Sequence, residues 1–176
     1  MKTVYLDNNA TTRPDPAVLE AMQPYLAEWW GNPSSMHRFG GQVRRAVDTA
    51  RQQVAALIGA HPAEIVFTGC GTESDNTAIR GVLEAASEPL AVITSRVEHP
   101  AVLEPCRRLK DRGAAVTELD VDGKGRLSLD ALRQALGRGR ALVSLMWANN
   151  ETGVLFPIPE AAELVKAAGG LFHTDA

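Results

Sequence analysis

Four short polar sets in this sequence directly follow apolar runs: Gly69-Cys70-Gly71-Thr72, Glu98-His99, Trp147-Ala148-Asn149-Asn150-Glu151 and Asp175. The first has the most defined chemistry. Ile65-Val66-Phe67-Thr68 is β-favouring and runs into a glycine turn, and Ala78, Ile79, Val82, Leu83 and Ala86 then recur at helical spacing. Thr72 is expected to N-cap that helix, with Asp75 reaching back as a short capping-box acid. A strand, a glycine turn and a helix start aim backbone N–H groups at one point, where the helix dipole adds positive charge. An anion such as a phosphate suits that point, and so does a purely structural turn. The stretch lacks the Lys-Ser/Thr pair of a P-loop, and Ser74 stands where a dinucleotide fingerprint needs its third glycine.

The remaining groups each have a plain and a chemical reading. His99 can be a general acid or base, an aromatic stacking plate or a structural histidine. Asn150 can donate to a ligand oxygen or cap a turn. Asp175 can hold a metal, pair with a cationic ligand atom or cap a following helix. Asn8 and Asn9 are most simply turn residues.

The elements that must position these groups alternate along the chain. Asp15-Pro16 is a helix start, with Asp as N-cap and Pro at the first position. A longer helix is expected from Gly40 to Ile58, with Val43, Val47, Ala50, Val54, Leu57 and Ile58 inward and Gly59 as its stop. Leu90–Thr94, Ala115–Leu119, Ala141–Met146 and Leu171–Thr174 read as strands. Helices are expected from about Pro100 to Arg112, after Ser128, and after Pro157-Ile158-Pro159. This alternation means an α/β fold, a mainly parallel sheet with helices on both faces. In such sheets ligands bind outside the carboxyl ends of the strands, where all four polar sets fall. A phosphate cradle, an aromatic plate, an amide donor and a carboxylate together match pyridoxal 5′-phosphate. Its phosphate suits the helix start, its ring needs a flat partner, and its pyridine nitrogen needs an acid to stay protonated as an electron sink.

Composition narrows the class. The chain has 176 residues, 45% hydrophobic and 22% charged, enough for a sizeable core. A formal net charge of −3 points to neither nucleic acid nor an anionic membrane. No apolar run approaches the roughly 20 residues of a membrane span. The opening MKTVYLDNNATT puts an acid and two asparagines where a signal peptide needs apolar residues, so a cytoplasmic location is expected. Cys70 and Cys106 form neither a disulfide framework nor a zinc site, and no metal is expected. Cys106 reads as a core thiol. Cys70, in the opening turn, reads as a packing or turn residue, with a reactive thiol as its alternative.

The longer motifs resemble a known family. LDNNATTRPDP (Leu6 to Pro16), GNPSSMHRFG (Gly31 to Gly40), EIVFTGCGTESDN (Glu64 to Asn76), VEHPAV (Val97 to Val102), MWANNETGVLFPI (Met146 to Ile158) and FHTDA (Phe172 to Ala176) are similar to the NifS-type cysteine desulfurases. These are class V aminotransferases of fold-type I, pyridoxal-phosphate enzymes. WANNETG and GCGTESD look closer to the nitrogen-fixation branch than to the housekeeping one. The resemblance implies an incomplete transferase large domain over 16–176, with 1–15 as an N-terminal arm. It implies that Gly71 and Thr72 bind the cofactor phosphate, and that His99 stacks on the ring and serves in proton transfer. Asn150 would contact the phenolic oxygen or the substrate, and Asp175 would pair with the pyridine nitrogen. The implied reaction takes L-cysteine to L-alanine and leaves a persulfide on an enzyme cysteine. That sulfur is destined, through an iron–sulfur scaffold protein, for clusters such as those of nitrogenase. The family is homodimeric.

The family's cofactor-bearing lysine lies downstream of the aspartate, in a Ser-Gly-His-Lys stretch, and its persulfide cysteine lies later still. None of Lys2, Lys110, Lys124 and Lys166 matches the first, and neither Cys70 nor Cys106 the second. The resemblance therefore implies about the first half of a desulfurase, inactive alone. It also implies that Ile65–Thr68 lacks its sheet neighbours here, an exposed edge that invites pairing with another chain. A selenocysteine lyase or another class V aminotransferase is the alternative chemistry. A non-catalytic scaffold is the alternative of another class.

Overall fold

The computed structural model describes residues 3–137 and 139–176. Two compact units divide the chain, Met1–Phe67 and Thr68–Ala176.

The first unit is helical. Helix α1, Pro16–Ala27, starts as expected, with the Asp15 carboxylate accepting from Ala17 N–H at 2.8 Å and Pro16 at the first position. Helix α2, Arg38–Ile58, begins two residues earlier than its apolar pattern, because His37 Nδ1 accepts from Gly40 N–H at 3.2 Å and caps the start. It stops at Gly59 in the left-handed region, φ 68°, the conformation that favours glycine. The expected inward stripe of α2 is not fully covered: Leu57 and Ile58 are exposed, and Ala55 is the buried apolar residue of its last turns.

Ile65–Thr68 does not form the expected strand. The segment is extended but unpaired, since a strand exists only through its ladder and no described strand pairs with this one. The Arg51 guanidinium donates to Ile65 O and sits 4.9 Å from the Phe67 ring centroid. Val66 and Phe67 remain exposed.

The second unit is a parallel sheet with helices on both faces. Helix α3 spans Gly71–Ala85, β1 Ala91–Ser95, α4 Pro100–Asp111, β2 Val116–Leu119, α5 Leu129–Leu136, β3 Ala141–Ser144, α6 Ile158–Ala167 and β4 Leu171–His173. The strand order is β2-β1-β3-β4, every pair parallel. The period of two sorts each strand between faces. Ile93, Val143 and Leu145 pack under α5 and α6 with Leu132, Leu136, Ala161 and Val165. Val92 and Leu142 pack on the other side with Ile79 of α3 and with Val102 and Cys106 of α4. Burying a Val, Leu or Ile side chain contributes about 1.5–3 kcal/mol, and strands and helices both supply such side chains to the two layers.

β3 is shorter than its six-residue apolar run. Its ladder ends at Ser144, although Leu145 N–H still donates to His173 O (3.1 Å) and Trp147 N–H to Asp175 O (3.0 Å). The connection from β1 returns through α4 on one face, and that from β3 through α6 on the other. β1 and β3 are neighbours, so their loops part in opposite directions and open a crevice at their carboxyl ends. No helix among the described residues is long and apolar enough to cross a membrane.

Candidate functional site

The start of α3 corrects the expected cap. Cys70, not Thr72, is the N-cap, and its side chain makes no capping bond. The Thr68 hydroxyl instead bonds Ser74 Oγ (2.6 Å) and Cys70 O (3.1 Å). The Glu73 carboxylate folds back to accept from Gly69 N–H at 2.7 Å. Among the described residues, the first-turn N–H groups of Gly71 and Thr72 thus have neither an intrahelical nor a side-chain acceptor, and both residues are exposed. A carboxylate already drawn to Gly69 N–H shows the turn's preference for an anion. Asn76 Nδ2 fastens this end to α4, donating to Thr72 O (2.9 Å) and Ala101 O (3.3 Å).

His99 caps α4. Its Nδ1 accepts from Ala101 N–H at 3.1 Å, with Pro100 at the first helical position. That bond gives the neutral ring its proton on Nε2 and fixes the ring's orientation. His99 thus has a structural role as the cap of α4, and its imidazole is still exposed at the crevice.

At the crevice, buried polar groups tie the β1 and β3 ends together. Glu98, 4% exposed, accepts from Ser95 Oγ at 2.5 Å, and its other oxygen has no partner. Asn149, 8% exposed, donates to Val97 O (3.0 Å) and accepts from Glu151 N–H, Thr152 N–H and Thr152 Oγ1 at 2.9–3.1 Å. Asn150 is exposed, and its amide lies 3.5 Å from Glu151 Oε1. The two asparagines thus divide the work, Asn149 building the loop and Asn150 facing outward. Asn149→Ala removes five bonds at once, a long one to Met146 Sδ among them, and strands Val97 O. It should cost about 2–3 kcal/mol, read as a lower denaturation midpoint and earlier proteolysis of 147–155.

A polar row crosses the sheet on the α3 side, where Thr94, Ser144 and His173 are register partners on three adjacent strands. Ser144 Oγ lies 2.9 Å from His173 Nδ1, and His173 Nε2 lies 3.6 Å from Asp75 Oδ1. Asp75 is 5% exposed, one helical turn before the fully buried Ile79. It is no capping acid; it points into the sheet. Burial raises its carboxyl above the usual range, the charge of Asp175 adds to that, and His173 and His99 lower it. Burial lowers His173, against the pull of Asp75 and Asp175. The structure thus brings His99, His173 and Asp175 within electrostatic reach of Asp75.

Gly71 and Thr72 stand at the start of α3 and Asn150 on the β3 loop, all at the carboxyl edge. Asp75, Ser144, His173, Glu98 and Asn149 carry roles that the sequence reading missed. The period of two was available for His173 and Asp175, two residues apart on one strand face. Asp75, at i−4 from Ile79, was legible as an inward helical position. A separate cavity of about 290 Å³ lies between α3 and α4, lined by Arg80, Arg108 and Arg112 with Glu104. It touches Thr72 and Asn76 but none of the crevice residues.

The aminotransferase class-V family model matches residues 4–176. The chain belongs to that family. A cysteine desulfurase of Trichormus azollae is 57% identical over 176 residues, all of this chain and 44% of its own length. The cysteine desulfurase NifS of Azotobacter vinelandii is 56% identical over 177 residues, again 44% of its length. The chain thus spans less than half the length of these relatives. A solved NifS-like protein superposes with a TM-score of 0.92 at 39% identity, over 98% of this chain and 48% of its own. The structure of SspA in complex with cysteine superposes at 0.90 and 35% identity, over 99% and 50%. Class-V aminotransferases and cysteine desulfurases depend on pyridoxal 5′-phosphate. The residues present fit that group. An uncapped helix start suits its phosphate, an oriented imidazole its ring, and a carboxylate pair its ring nitrogen.

Proposed function

We propose that this chain forms the cofactor-cradling part of a cysteine desulfurase that takes L-cysteine to L-alanine and passes the sulfur on. The observation that carries this reading is 51–57% identity to cysteine desulfurases along the whole chain. The cofactor supplies an electron sink for bonds broken at the substrate's carbons. In this reading Gly71 and Thr72 N–H groups hold its phosphate, and His99 lies on its ring, its plane set by the Ala101 N–H bond. Asn150 meets the phenolic oxygen or the substrate, and Asp175 meets the pyridine nitrogen. Residues 1–15 act as an arm and 16–176 as part of the large domain.

Two agents must come from elsewhere in the protein. Neither cysteine here suits sulfur transfer. Cys106 is fully buried, and burial, helped by Glu98 and Glu118, pushes its thiol up to about 11. Cys70 is exposed but occupies the α3 cap, beside the phosphate position. The 176 residues alone should therefore not turn over. The fuller reading places the complete protein in the cytoplasm as a homodimer, delivering sulfur to an iron–sulfur scaffold protein, with nitrogenase clusters as the destination. The complex with cysteine reported for SspA supports the substrate.

The test is reconstitution of the full-length protein with pyridoxal phosphate, followed by addition of L-cysteine. Visible absorbance of bound cofactor, then, with an added dithiol to reduce the enzyme persulfide, alanine and sulfide in equal amounts, is the expected result. Absence of bound cofactor would sink the reading. Turnover of selenocysteine but not cysteine would replace it with a lyase.

A further inference from the structure

Asp75 is an expensive choice for its position. It sits on the inward stripe of α3, 5% exposed, where an apolar residue would pack with Ile79 against the sheet. It caps nothing, since the cap residue is Cys70 and the carboxylate at the turn is Glu73. What it faces is His173 Nε2, 3.6 Å away, too long for a hydrogen bond but short for a charge interaction across a buried gap. His173 is held from the other side by Ser144 Oγ at 2.9 Å, and Ser144 is buried on the central strand β3. Asp175 lies two residues beyond His173 on the same strand direction, its backbone pinned by Trp147 N–H. The titratable groups that face Asp75 are thus Asp175 and His173, from the β4 end, and His99, from the start of α4.

Count the charge of this cluster. Two carboxylates share a site with an imidazole that burial keeps towards its neutral form and with His99, whose Nδ1 lone pair is already committed to a backbone N–H. Among the described residues, no lysine or arginine acts on Asp75 or His173. Like charges held together are tolerated where a third group supplies the opposite charge.

We propose that Asp75 is a positioning residue for the cofactor: a second carboxylate behind Asp175, set by the Ser144–His173 contact, that helps hold the bound ring nitrogen in its protonated form. This rests on the cofactor reading above. Asp175 touches the ring nitrogen; Asp75 acts through the field and through His173, whose charge both acids influence. The arrangement explains why two polar side chains, Ser144 and His173, stand side by side on a mainly apolar sheet face.

The experiment uses the full-length protein loaded with ¹⁵N-labelled pyridoxal phosphate, and follows the ring-nitrogen chemical shift with pH in the wild type and in Asp75→Asn. The substitution keeps shape and removes charge. The expected result is retained cofactor with the deprotonation midpoint lowered by about one unit or more, a tenfold change in the protonated ratio. An unchanged midpoint overturns the proposal, because a merely structural Asp75 would alter melting and leave the nitrogen alone. Where Asp75→Asn does not fold, the carboxyl ¹³C resonance of Asp75 in the wild-type holoprotein decides. An ionised carboxylate at neutral pH supports the proposal, and a protonated one overturns it. Failure of the wild type to take up the cofactor at all is a different result. It would sink the desulfurase reading itself, and this inference with it.

Discussion

Asp175→Ala in the full-length protein should lower alanine production from cysteine by about a hundredfold to a thousandfold, the usual cost of removing one preorganised charge partner from a reacting centre. Asp175 is half-buried just past the carboxyl end of β4, and its backbone carbonyl accepts from Trp147 N–H at 3.0 Å. That bond belongs to the main chain and survives the substitution. Removing the side chain also relieves Asp75 of a like charge that raises its carboxyl. Melting should therefore hold or rise slightly while turnover falls, a split that separates a chemical role from a structural one. Turnover within threefold of wild type would refute the role given to Asp175. The same variant with pyridoxal phosphate in excess distinguishes weak binding, which excess cofactor rescues, from a lost electron sink, which it does not.

Glu98 should make stability depend on pH, with a sign opposite to that of a salt-bridged acid. Burial pushes its carboxyl up from 4.5 to about 7, against the hydrogen bond from Ser95, and Asp175 adds to the rise. The unfolded chain ionises Glu98 near the ordinary value, whereas the folded protein resists. The contribution of this group is therefore fully present below pH 4.5 and is lost as pH rises through about 7. A shift of that size corresponds to about 3 kcal/mol. Glu98→Gln keeps an acceptor for Ser95 Oγ and imitates the neutral acid, so it should match wild type near pH 4.5 and exceed it at pH 8. Denaturant midpoints for both proteins at these two pH values check this. Parallel pH profiles would show that Glu98 is not the source. A buried acid with one unpartnered oxygen beside His99 is costly for packing alone, consistent with its place in the crevice.

The fold class was legible because strand and helix periods are local. Val92, Leu142 and Val143 read as buried strand residues from their neighbours alone, and Asp15-Pro16 and Gly59 marked helix ends through backbone chemistry that needs no tertiary partner. Ile65–Thr68 shows the limit. Its β-favouring residues are as clear as those of β3, yet it is unpaired, because pairing depends on a neighbour that the segment does not carry.

The site divides the same way. That His99, Asn150 and Asp175 follow strand ends, and that Gly71 and Thr72 open a helix, was determined by the sequence, since parallel α/β order sends every strand's carboxyl end to one edge. The feature that opened the reading kept its place but changed its parts. Cys70 took the cap, Glu73 the turn amide, and Asp75 left the helix end for the interior. Which asparagine builds the loop, that His99 spends Nδ1 on a helix start, and that Asp75 meets His173 were decided only by the tertiary structure. These are contacts between residues as many as 98 positions apart, and a buried charge declares its purpose only when the group across from it is in view.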